Sequence, residues 1–501
     1  MQEPISTTEQ PEGKSLLVLL IPMVVMVTVV VLLVFMGKDD EAPLLYVLQD
    51  FLPVFMFGTL GILLFSGYPV AFILGGLAFL YGMVGYALDV FALAQYFAFL
   101  PRIWGQAAEN LVLVAVPTFV FMGVMMERSG VANDMLYSCQ VLLRRVPGAL
   151  ALAVTIMGTI LAAMTGIIGA SVTMMTALAL PTMLKQKYSQ QLATGVICAS
   201  GTLGILIPPS IMLIIMADLM SVSVGTVFMS ALGPGLFLAA LYLAYIVIAA
   251  SIRPSIAPPL PKELLYVPRG EMAPLLLKSF LPPVFLIGLI KGSILMGWAT
   301  PSEAGAVGAF GAVILAVANR RCSWEILRGV SHTSALTIGM IFFIVVSATC
   351  FAYVFRALGG DDIVEHLILQ AGLGAWGLLI LIMGIVFILG FFLDWIEITL
   401  IILPVFAPLV VGLDFGTHVS QEGMIFWFLI LVAVNLQTSF LTPPFGFALF
   451  YLKGIAPEEV KIANIYKGII PFVTLQLVAL IGVLTLPKVA LWLPRVVYGG
   501  L

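Results

Sequence analysis

Long apolar runs, separated by short polar stretches, follow one another along almost the whole chain after a polar start of 14 residues. A helix that crosses the hydrocarbon core of a bilayer needs about 20 consecutive apolar residues. Runs of this length include residues 15–36, 227–250 and 473–492. The pattern therefore predicts a series of membrane-spanning helices. No small-residue cleavage site follows residues 15–36, which are therefore predicted to be a retained, extra amino-terminal helix.

Two other apolar runs are interrupted by a pair of adjacent prolines, with polar residues just before them. Pro208-Pro209 and Pro443-Pro444 lie in these runs. A proline removes a backbone N–H and its ring clashes with the preceding turn, so no continuous helix passes through such a pair. We therefore predict broken helices at about residues 190–220 and 424–451, open at mid-membrane depth. Unpaired backbone groups are tolerated there only beside protein or a water-filled cavity.

Each broken helix is preceded by an apolar run that is interrupted at glycines and polar residues. The run at about residues 148–187 has Lys and Arg at both outer ends, whereas the run at about residues 371–414 has Asp and Glu near its ends. An excess of Lys and Arg marks the cytoplasmic side of a membrane protein. The two runs are therefore predicted to be re-entrant hairpins that enter the membrane from opposite faces.

The two halves of the chain share a common register. Aligning the proline pairs places Ser200 opposite Asn435 and Gly204 opposite Ser439, at an offset of 235 residues. Aligning the Leu-Pro pairs of the two hairpins gives an offset of 223 residues. Weak internal similarity with interruptions in matching positions is typical of transporters built from inverted repeats.

This register divides the chain into four parts. The fold is predicted to be an all-α polytopic membrane protein of two inverted-topology repeats, each with a re-entrant hairpin and a broken helix. The expected parts are a tail with the extra helix (1–50), a first repeat (51–252), a cytoplasmic linker (253–278) and a second repeat (279–501).

Composition agrees with this class and argues against several others. The chain is 62% hydrophobic and only 9% charged, which excludes an ordinary soluble globule. Its net charge of −3 gives no reason to expect a nucleic-acid partner. The four cysteines lack CxxC spacing, so neither a disulfide framework nor a zinc site is indicated. No HExxH or GxSxG motif occurs and the three histidines lie near the ends of apolar runs, so an enzyme is not expected.

Four long motifs lie at the interruptions and at one helix start. They are SGTLGILIPPS (200–210), ATPSEAG (299–305), DWIEITLIILP (394–404) and NLQTSFLTPPFGFALFYLKG (435–454). From about Phe51 to its end, the chain resembles the large, DctM-like membrane subunit of tripartite ATP-independent periplasmic (TRAP) transporters. The last two motifs are similar to the branch labelled for mannitol or chloroaromatic compounds, some members of which are associated with 2-oxo or 2-hydroxy acids.

The resemblance implies a function and a set of partners. It implies an elevator-type symporter of the bacterial inner (cytoplasmic) membrane that couples Na⁺ to the uptake of an organic acid, leaning to a 2-oxo or 2-hydroxy carboxylate. A periplasmic binding protein would deliver the acid. The extra helix resembles the connecting helix of fused small-plus-large versions, but the helices of the small subunit are absent. A separate, DctQ-like small membrane subunit is therefore expected.

Hard oxygen ligands suit Na⁺, and a helix break beside a hairpin tip offers backbone carbonyls together with Ser and Thr hydroxyls. Two matching cages are therefore expected, one in each repeat. The candidate cation ligands are Gly169, Ser171, Thr173, Ser200, Gly201 and Gly204 in the first, and Asp394, Thr399, Thr438, Ser439 and Thr442 in the second. A substrate carboxylate would suit the positive ends of the half-helices that begin after the proline pairs. The candidate substrate residues are Thr202, Pro208, Pro209, Gln437, Pro443 and Pro444.

Each candidate has a plainer interpretation. Ser and Thr in membrane helices often only donate to a carbonyl one turn back or join helices together. Asp394 and Glu397 are costly at membrane depth, which favours a function for Asp394, although the hairpin tip could reach water or the carboxylate could be protonated. An ion channel, or a secondary transporter that works without a binding protein, is the alternative. A channel needs a continuous polar pore, whereas the polar residues here form two clusters.

Overall fold

The computed structural model describes residues 43–64, 67–259, 276–370, 372–443 and 446–499. Within these ranges the chain forms helices joined by short turns and contains no β-strand. Eight helices of the described part are long and apolar enough to cross a membrane. The predicted all-helical membrane fold is therefore confirmed. The predicted helix over residues 15–36 and most of the predicted linker lie outside the described residues.

Helices follow one another closely in both halves. Those of the first half are α1 (Pro43–Leu64), α2 (Val70–Ala87), α3 (Phe99–Ile103), α4 (Ala115–Arg128), α5 (Val131–Leu142), α6 (Ala149–Thr165), α7 (Ile168–Lys185), α8 (Gln190–Thr202), α9 (Ile211–Leu219) and α10 (Val224–Ile252). Those of the second half are α11 (Leu281–Leu295), α12 (Pro301–Ala318), α13 (Trp324–Ala357), α14 (Gly360–Gln370), α15 (Ala375–Leu389), α16 (Trp395–Val411), α17 (Gln421–Ser439), α18 (Phe447–Ile455), α19 (Ile462–Thr485) and α20 (Lys488–Tyr498).

The chain packs into two compact units, and each unit takes segments from both halves of the sequence. Counting only the described residues, the first lies within Met1–Ala108 and Ile344–Ala371, and the second within Glu109–Phe343 and Gly372–Leu501. In the first unit, the ring of Phe57 packs edge-on against Phe355, with centroids 4.9 Å apart. The second unit contains all four interrupted segments. The compact units therefore do not follow the boundary between the two sequence repeats.

The two hairpins turn within a few residues. Helix α6 ends at Thr165 and α7 begins at Ile168, with Gly166 between them in the left-handed conformation (φ 61°) that favours glycine at a helix end. Helix α15 ends at Leu389 and α16 begins at Trp395. Both interruptions are shorter than the polar stretches suggested, because the polar residues after each turn already belong to the following helix.

The two broken helices open at the proline pairs. In the first, α8 gives way to a short 3-10 turn at Leu203–Ile205, and helical structure resumes at Ile211. In the second, α17 ends at Ser439 and α18 begins at Phe447. These helices lie deep in the second unit. In α17, 89% of the residues in the apolar window are buried, so apolar residues occur on every side of its central part.

One predicted span is wrong. Residues 473–492 do not form a single helix, because α19 ends at Thr485 and a separate helix, α20, begins at Lys488. Pro487 explains the break, since the residue before a proline is disfavoured in the α conformation. Leu486 accordingly has non-helical angles (φ −125°, ψ 75°). The apolar pattern alone did not reveal this boundary.

Candidate functional site

The two broken helices meet each other at matched positions. The side-chain nitrogen Nε2 of Gln437 in α17 donates a long hydrogen bond (3.4 Å) to the hydroxyl of Thr202 in α8. These residues are 235 positions apart, which is the offset that superposes the two proline pairs. Equivalent residues of two repeats contact each other only where the repeats face one another. Thr202 and Gln437 therefore mark the junction of the repeats.

A second pair of matched contacts joins each broken helix to the first arm of its hairpin. A Cβ atom built on Gly158 in α6 would lie 2.6 Å from the Cβ of Ser200. In the second half, Nδ2 of Asn435 donates to the carbonyl oxygen of Met383 in α15 at 2.7 Å. Ser200 and Asn435 were aligned by sequence, and each lies against the same part of its own hairpin.

A third pair lies at the breaks themselves. A Cβ atom on Gly204 would overlap the backbone carbonyl of Ala162, near the end of α6. A Cβ atom on Gly390, at the end of α15, would overlap the hydroxyl of Ser439. The matched positions Gly204 and Ser439 thus both pack closely against a hairpin tip. Three matched sets of contacts support the internal duplication indicated by the sequence.

Most candidate hydroxyls in and beside the broken helices donate to a backbone carbonyl three or four residues earlier. These bonds are Ser200 to Val196 (2.6 Å), Thr202 to Ala199 (2.9 Å), Thr438 to Val434 (2.9 Å), Ser439 to Leu436 (2.8 Å) and Thr442 to Thr438 (2.7 Å). This is the plainer interpretation of such residues. It does not exclude a ligand role, because a hydroxyl that donates its proton keeps two acceptor lone pairs.

Asp394 and Glu397 cap the start of α16. The Asp394 carboxylate accepts from the backbone N–H of Trp395 at 2.8 Å, and the Glu397 carboxylate accepts from the N–H of Asp394 at 2.5 Å. The two form a reciprocal capping box of the kind that Thr300 and Glu303 form at the start of α12. Sequence reasoning proposed this role for Glu303 but not for Asp394. Each carboxylate retains acceptor capacity beyond the cap.

Thr399, one turn further along α16, has a different environment. Its side chain is completely buried, and its hydroxyl makes no hydrogen bond within the described part of the chain. A buried polar group without a partner is costly and is usually accounted for by a ligand, an ion or a water. Thr399 is therefore the candidate whose surroundings best fit a ligand role.

At the first hairpin, the candidates lie at the start of α7. Ser171 is buried and Thr173 is half-buried. Gly201 in α8 packs directly against Val172, which stands between them. Gly201 therefore meets α7 between the positions of Ser171 and Thr173. A Cβ atom on Gly169 would lie 2.7 Å from the ring of Tyr451, a residue of α18 that was not among the predicted site residues.

Tyr451 belongs to the surroundings of the first hairpin tip, because its ring lies against Gly169. Tyr451 lies in one of the long motifs, but no pattern in the sequence distinguished it from neighbouring aromatic residues.

Gln476 and Tyr242 were also missed, and both lie at the junction of the repeats. Gln476 in α19 is completely buried, and its Nε2 lies 3.5 Å from the Thr202 hydroxyl, as a second donor to it. The Tyr242 hydroxyl lies beside Gln476 in a geometry that makes no hydrogen bond. The side-chain oxygens of Gln437 and Gln476 also have no partner among the described residues. The junction is therefore a buried polar cluster with unused acceptors.

We expect Thr202→Val to destabilise the protein, because it removes the hydroxyl that accepts from two buried amides. An unpaired buried donor costs about 1–3 kcal/mol. Thermal unfolding of the purified protein in detergent would show the change as a lower midpoint. Thr194→Val is the matched control, since Thr194 is equally buried in α8 and its hydroxyl donates only to carbonyls of that helix. Equal shifts for both variants would contradict a special role for Thr202.

The predicted substrate residues are distributed unevenly. Pro208 and Pro209 are buried beside the 3-10 turn, Pro443 is half-buried, and Pro444 lies outside the described residues. The amino ends of α9 and α18 follow the two breaks. At α18, the backbone N–H groups of Ala448 and Leu449 already donate to the carbonyls of Phe440 and Gly446. The assignment of these residues to substrate stays a prediction.

The residues at the breaks fit a Na⁺ ion better than a transition metal. Among the described residues, no group of three or more His, Cys, Asp or Glu side chains is placed to hold a metal. What the hairpin tips and breaks offer instead are hydroxyl lone pairs, backbone carbonyls, the unpartnered hydroxyl of Thr399 and two carboxylates. Such hard oxygens suit an alkali cation.

A comparison with solved structures also finds a membrane transporter fold. A solved structure described as that of the Alcanivorax borkumensis YdaH transporter, with an unusual topology, superposes with a TM-score of 0.54 at 12% identity, covering 80% of this chain and 88% of that one. This similarity concerns the fold alone.

The chain is similar in sequence to curated relatives along most of their length. The chain is 29% identical over 395 residues to the C4-dicarboxylate TRAP transporter large permease protein DctM of Pseudomonas aeruginosa, covering 78% of this chain and 88% of the relative. It is 28% identical to the ectoine TRAP transporter large permease protein TeaC of Halomonas elongata, covering 76% and 86%. It is also 28% identical to the isethionate TRAP transporter permease protein DctMQ of Oleidesulfovibrio alaskensis, covering 88% and 66%.

A family profile shows which family the chain belongs to. The profile described as "Tripartite ATP-independent periplasmic transporter, DctM component" matches residues 57–489, which is most of the chain and includes every candidate site residue. The broken helices and hairpin tips described above lie within the matched region. The chain therefore belongs to the DctM family, the large membrane components of TRAP transporters.

Proposed function

We propose that this protein is the large permease of a transporter that takes up a small organic acid together with Na⁺, after a periplasmic binding protein has delivered the acid. The observation that carries the proposal is the contact between Thr202 and Gln437, which joins the two broken helices at matched positions. Two half-helices and two hairpin tips then face a common region. This is the arrangement in which secondary transporters bind ions and substrate near the bilayer midplane.

Coupling to Na⁺ is supported by the chemistry of the hairpin tips. Asp394, Glu397 and the unpartnered hydroxyl of Thr399 lie within two turns of one another in α16. A cation there would offset the cost of keeping carboxylates at membrane depth. We assign this place to the coupling ion, and the matching place around Ser171 and Ser200 to a second ion.

The substrate is proposed to be an organic anion. The relatives named above are described as transporting C4-dicarboxylates and isethionate, which are anions, and ectoine, which also carries a carboxylate. The amino ends of α9 and α18 suit one such group, since helix amino ends carry a partial positive charge. A 2-oxo or 2-hydroxy carboxylate is the finer proposal, which rests on the motif resemblance alone.

Transport is proposed to proceed by an elevator-type movement. All four interrupted segments belong to one compact unit, so that they can move as a body while the contacts of the site are kept. A small membrane subunit is the expected partner. Because one relative is described as a DctMQ permease protein, the small subunit of this transporter is either a separate chain or a fused one.

Uptake into proteoliposomes tests the proposal. The permease would be reconstituted with its small subunit, and the binding protein loaded in turn with radiolabelled succinate, isethionate, pyruvate or lactate would be added outside. We expect saturable uptake of one of these acids that requires both an inward Na⁺ gradient and the binding protein. Uptake without the binding protein would indicate a stand-alone transporter, and a conductance that needs no gradient would indicate a channel.

A further inference from the structure

A small cavity lies beneath the carboxyl-terminal helix α20, away from the hairpin tips. Its volume is about 240 Å³. The wall is formed by the loop before α17 on one side and by α20 on the other, and the residues that matter are Thr417, His418, Ser420, Lys488, Leu491 and Arg495. Two cations and two hydroxyls therefore line one cavity.

The two cations are not neutralised by the protein. Lys488 and Arg495 are two helical turns apart and thus lie on the same face of α20. Neither forms an ion pair within the described residues. Arg495 donates from Nη2 to the hydroxyl of Ser420 at 3.1 Å, while its Nε is buried and makes no hydrogen bond there. An orphaned guanidinium nitrogen at a cavity wall indicates a missing acceptor.

The carboxylates near the cavity do not pair with Lys488 or Arg495. Asp414 accepts from the backbone N–H of Gly416 at 2.7 Å and so fixes the loop itself. Glu422 is exposed at the start of α17 and does not line the cavity. His418 is held by a 2.9 Å hydrogen bond between its Nε2 and the carbonyl of Leu484. The loop is therefore fixed in place around the two cations.

Helix α20 is itself firmly placed. A Cβ atom on Gly233 of α10 would lie 2.5 Å from the carbonyl oxygen of Val489, and the Tyr498 hydroxyl donates to the carbonyl of Leu295 at 3.1 Å. Trp492 and Val496, each 63% exposed, lie next to this basic face, since Trp492 is one turn after Lys488 and Val496 directly follows Arg495. A short helix with basic residues beside exposed aromatic and aliphatic residues is typical of the membrane interface.

We propose that this cavity binds an oxyanion, and that its source is the phosphate of an anionic phospholipid headgroup. A guanidinium fork with neighbouring hydroxyls binds phosphate and carboxylate oxygens by charge-assisted hydrogen bonds. A free organic acid offers the same chemistry. The exposed Trp492 and Val496 beside the cavity favour the lipid, because acyl chains would cover them while the headgroup enters the cavity.

Lipid retention measured by native mass spectrometry tests the proposal. The full-length protein, purified in non-ionic detergent, would be titrated with phosphatidylglycerol and with phosphatidylcholine of the same acyl chains. We expect saturable binding of phosphatidylglycerol that is roughly ten-fold weaker in the double variant Lys488→Gln/Arg495→Gln, because each cation near a lipid surface adds to the attraction. The charge-conserving variant Lys488→Arg should bind as the wild type does.

Controls separate the site from general charge effects and from unfolding. Lys185→Gln/Lys467→Gln removes two exposed cations elsewhere in the same unit and should leave the binding unchanged. Equal loss in both double variants, or equal binding in all proteins, would overturn the proposal. Titration with succinate and inorganic phosphate, followed by thermal unfolding, examines the other source. Stabilisation by these free anions but not by phosphatidylglycerol, lost in Lys488→Gln/Arg495→Gln, would overturn the lipid assignment.

Discussion

Replacing Asp394 with asparagine should abolish Na⁺-dependent uptake while leaving the protein folded. Asparagine caps a helix about as well as aspartate, so the start of α16 should be preserved and only the charge removed. Two opposite unit charges 4 Å apart attract each other by about 4 kcal/mol at an effective dielectric constant near 20, so a cation site that loses its carboxylate is expected to lose most of its affinity. Initial uptake rates over a range of Na⁺ concentrations measure this.

The capping box at α12 provides the matched control. Glu303→Gln removes a carboxylate from the same kind of cap, at a position away from the hairpin tips, and should leave Na⁺ dependence unchanged. Ser171→Ala, at the residue aligned with Asp394 in the other hairpin, should also impair Na⁺-dependent uptake. If Asp394→Asn and Ser171→Ala both showed wild-type Na⁺ dependence, these two residues would have no place in the cation sites.

The sequence predicted the fold more completely than the site. Adjacent prolines and polar residues in apolar runs suffice to place the two broken helices, because no membrane helix passes through them. The offset of 235 residues was visible in the sequence, and it reappears in the structure as the contact between Thr202 and Gln437. Local backbone chemistry therefore determined where the helices break.

Residues that reach the site from distant helices could not be predicted in the same way. Gln476 and Tyr242 lie in helices without interruptions, and a single polar residue in an apolar helix gives no indication of its partner. The capping role of Asp394 was missed for another reason. Because Asp394 lies in an apolar run, its charge was interpreted as a sign of function. Asp followed three residues later by Glu is, however, also a helix-start signal. Side-chain partners depend on packing, which the apolar pattern does not encode.

The contact between Gly390 and Ser439 leads to a second large expected effect. Gly390→Ala should lower the unfolding midpoint, because the added methyl group overlaps the Ser439 hydroxyl and inserting a methyl into packed structure costs about 1–3 kcal/mol. The backbone at Gly390 is in the right-handed helical region (φ −65°, ψ −8°), so alanine introduces no conformational strain of its own. Na⁺-dependent uptake should fall as well, since the hairpin tip would be pushed away from the break.

A reciprocal exchange tests this packing directly. Gly390→Ala/Ser439→Gly moves the side chain from one partner to the other and should recover most of the lost stability. Gly204→Ala, the matched position in the first repeat, should not be recoverable in this way, because its methyl group would meet the backbone of Ala162 rather than a side chain. Thermal unfolding of the four proteins in one detergent gives the comparison. If the exchange failed to recover stability while Gly204→Ala was neutral, close contact between hairpin tip and break would not be what holds the two interrupted segments together.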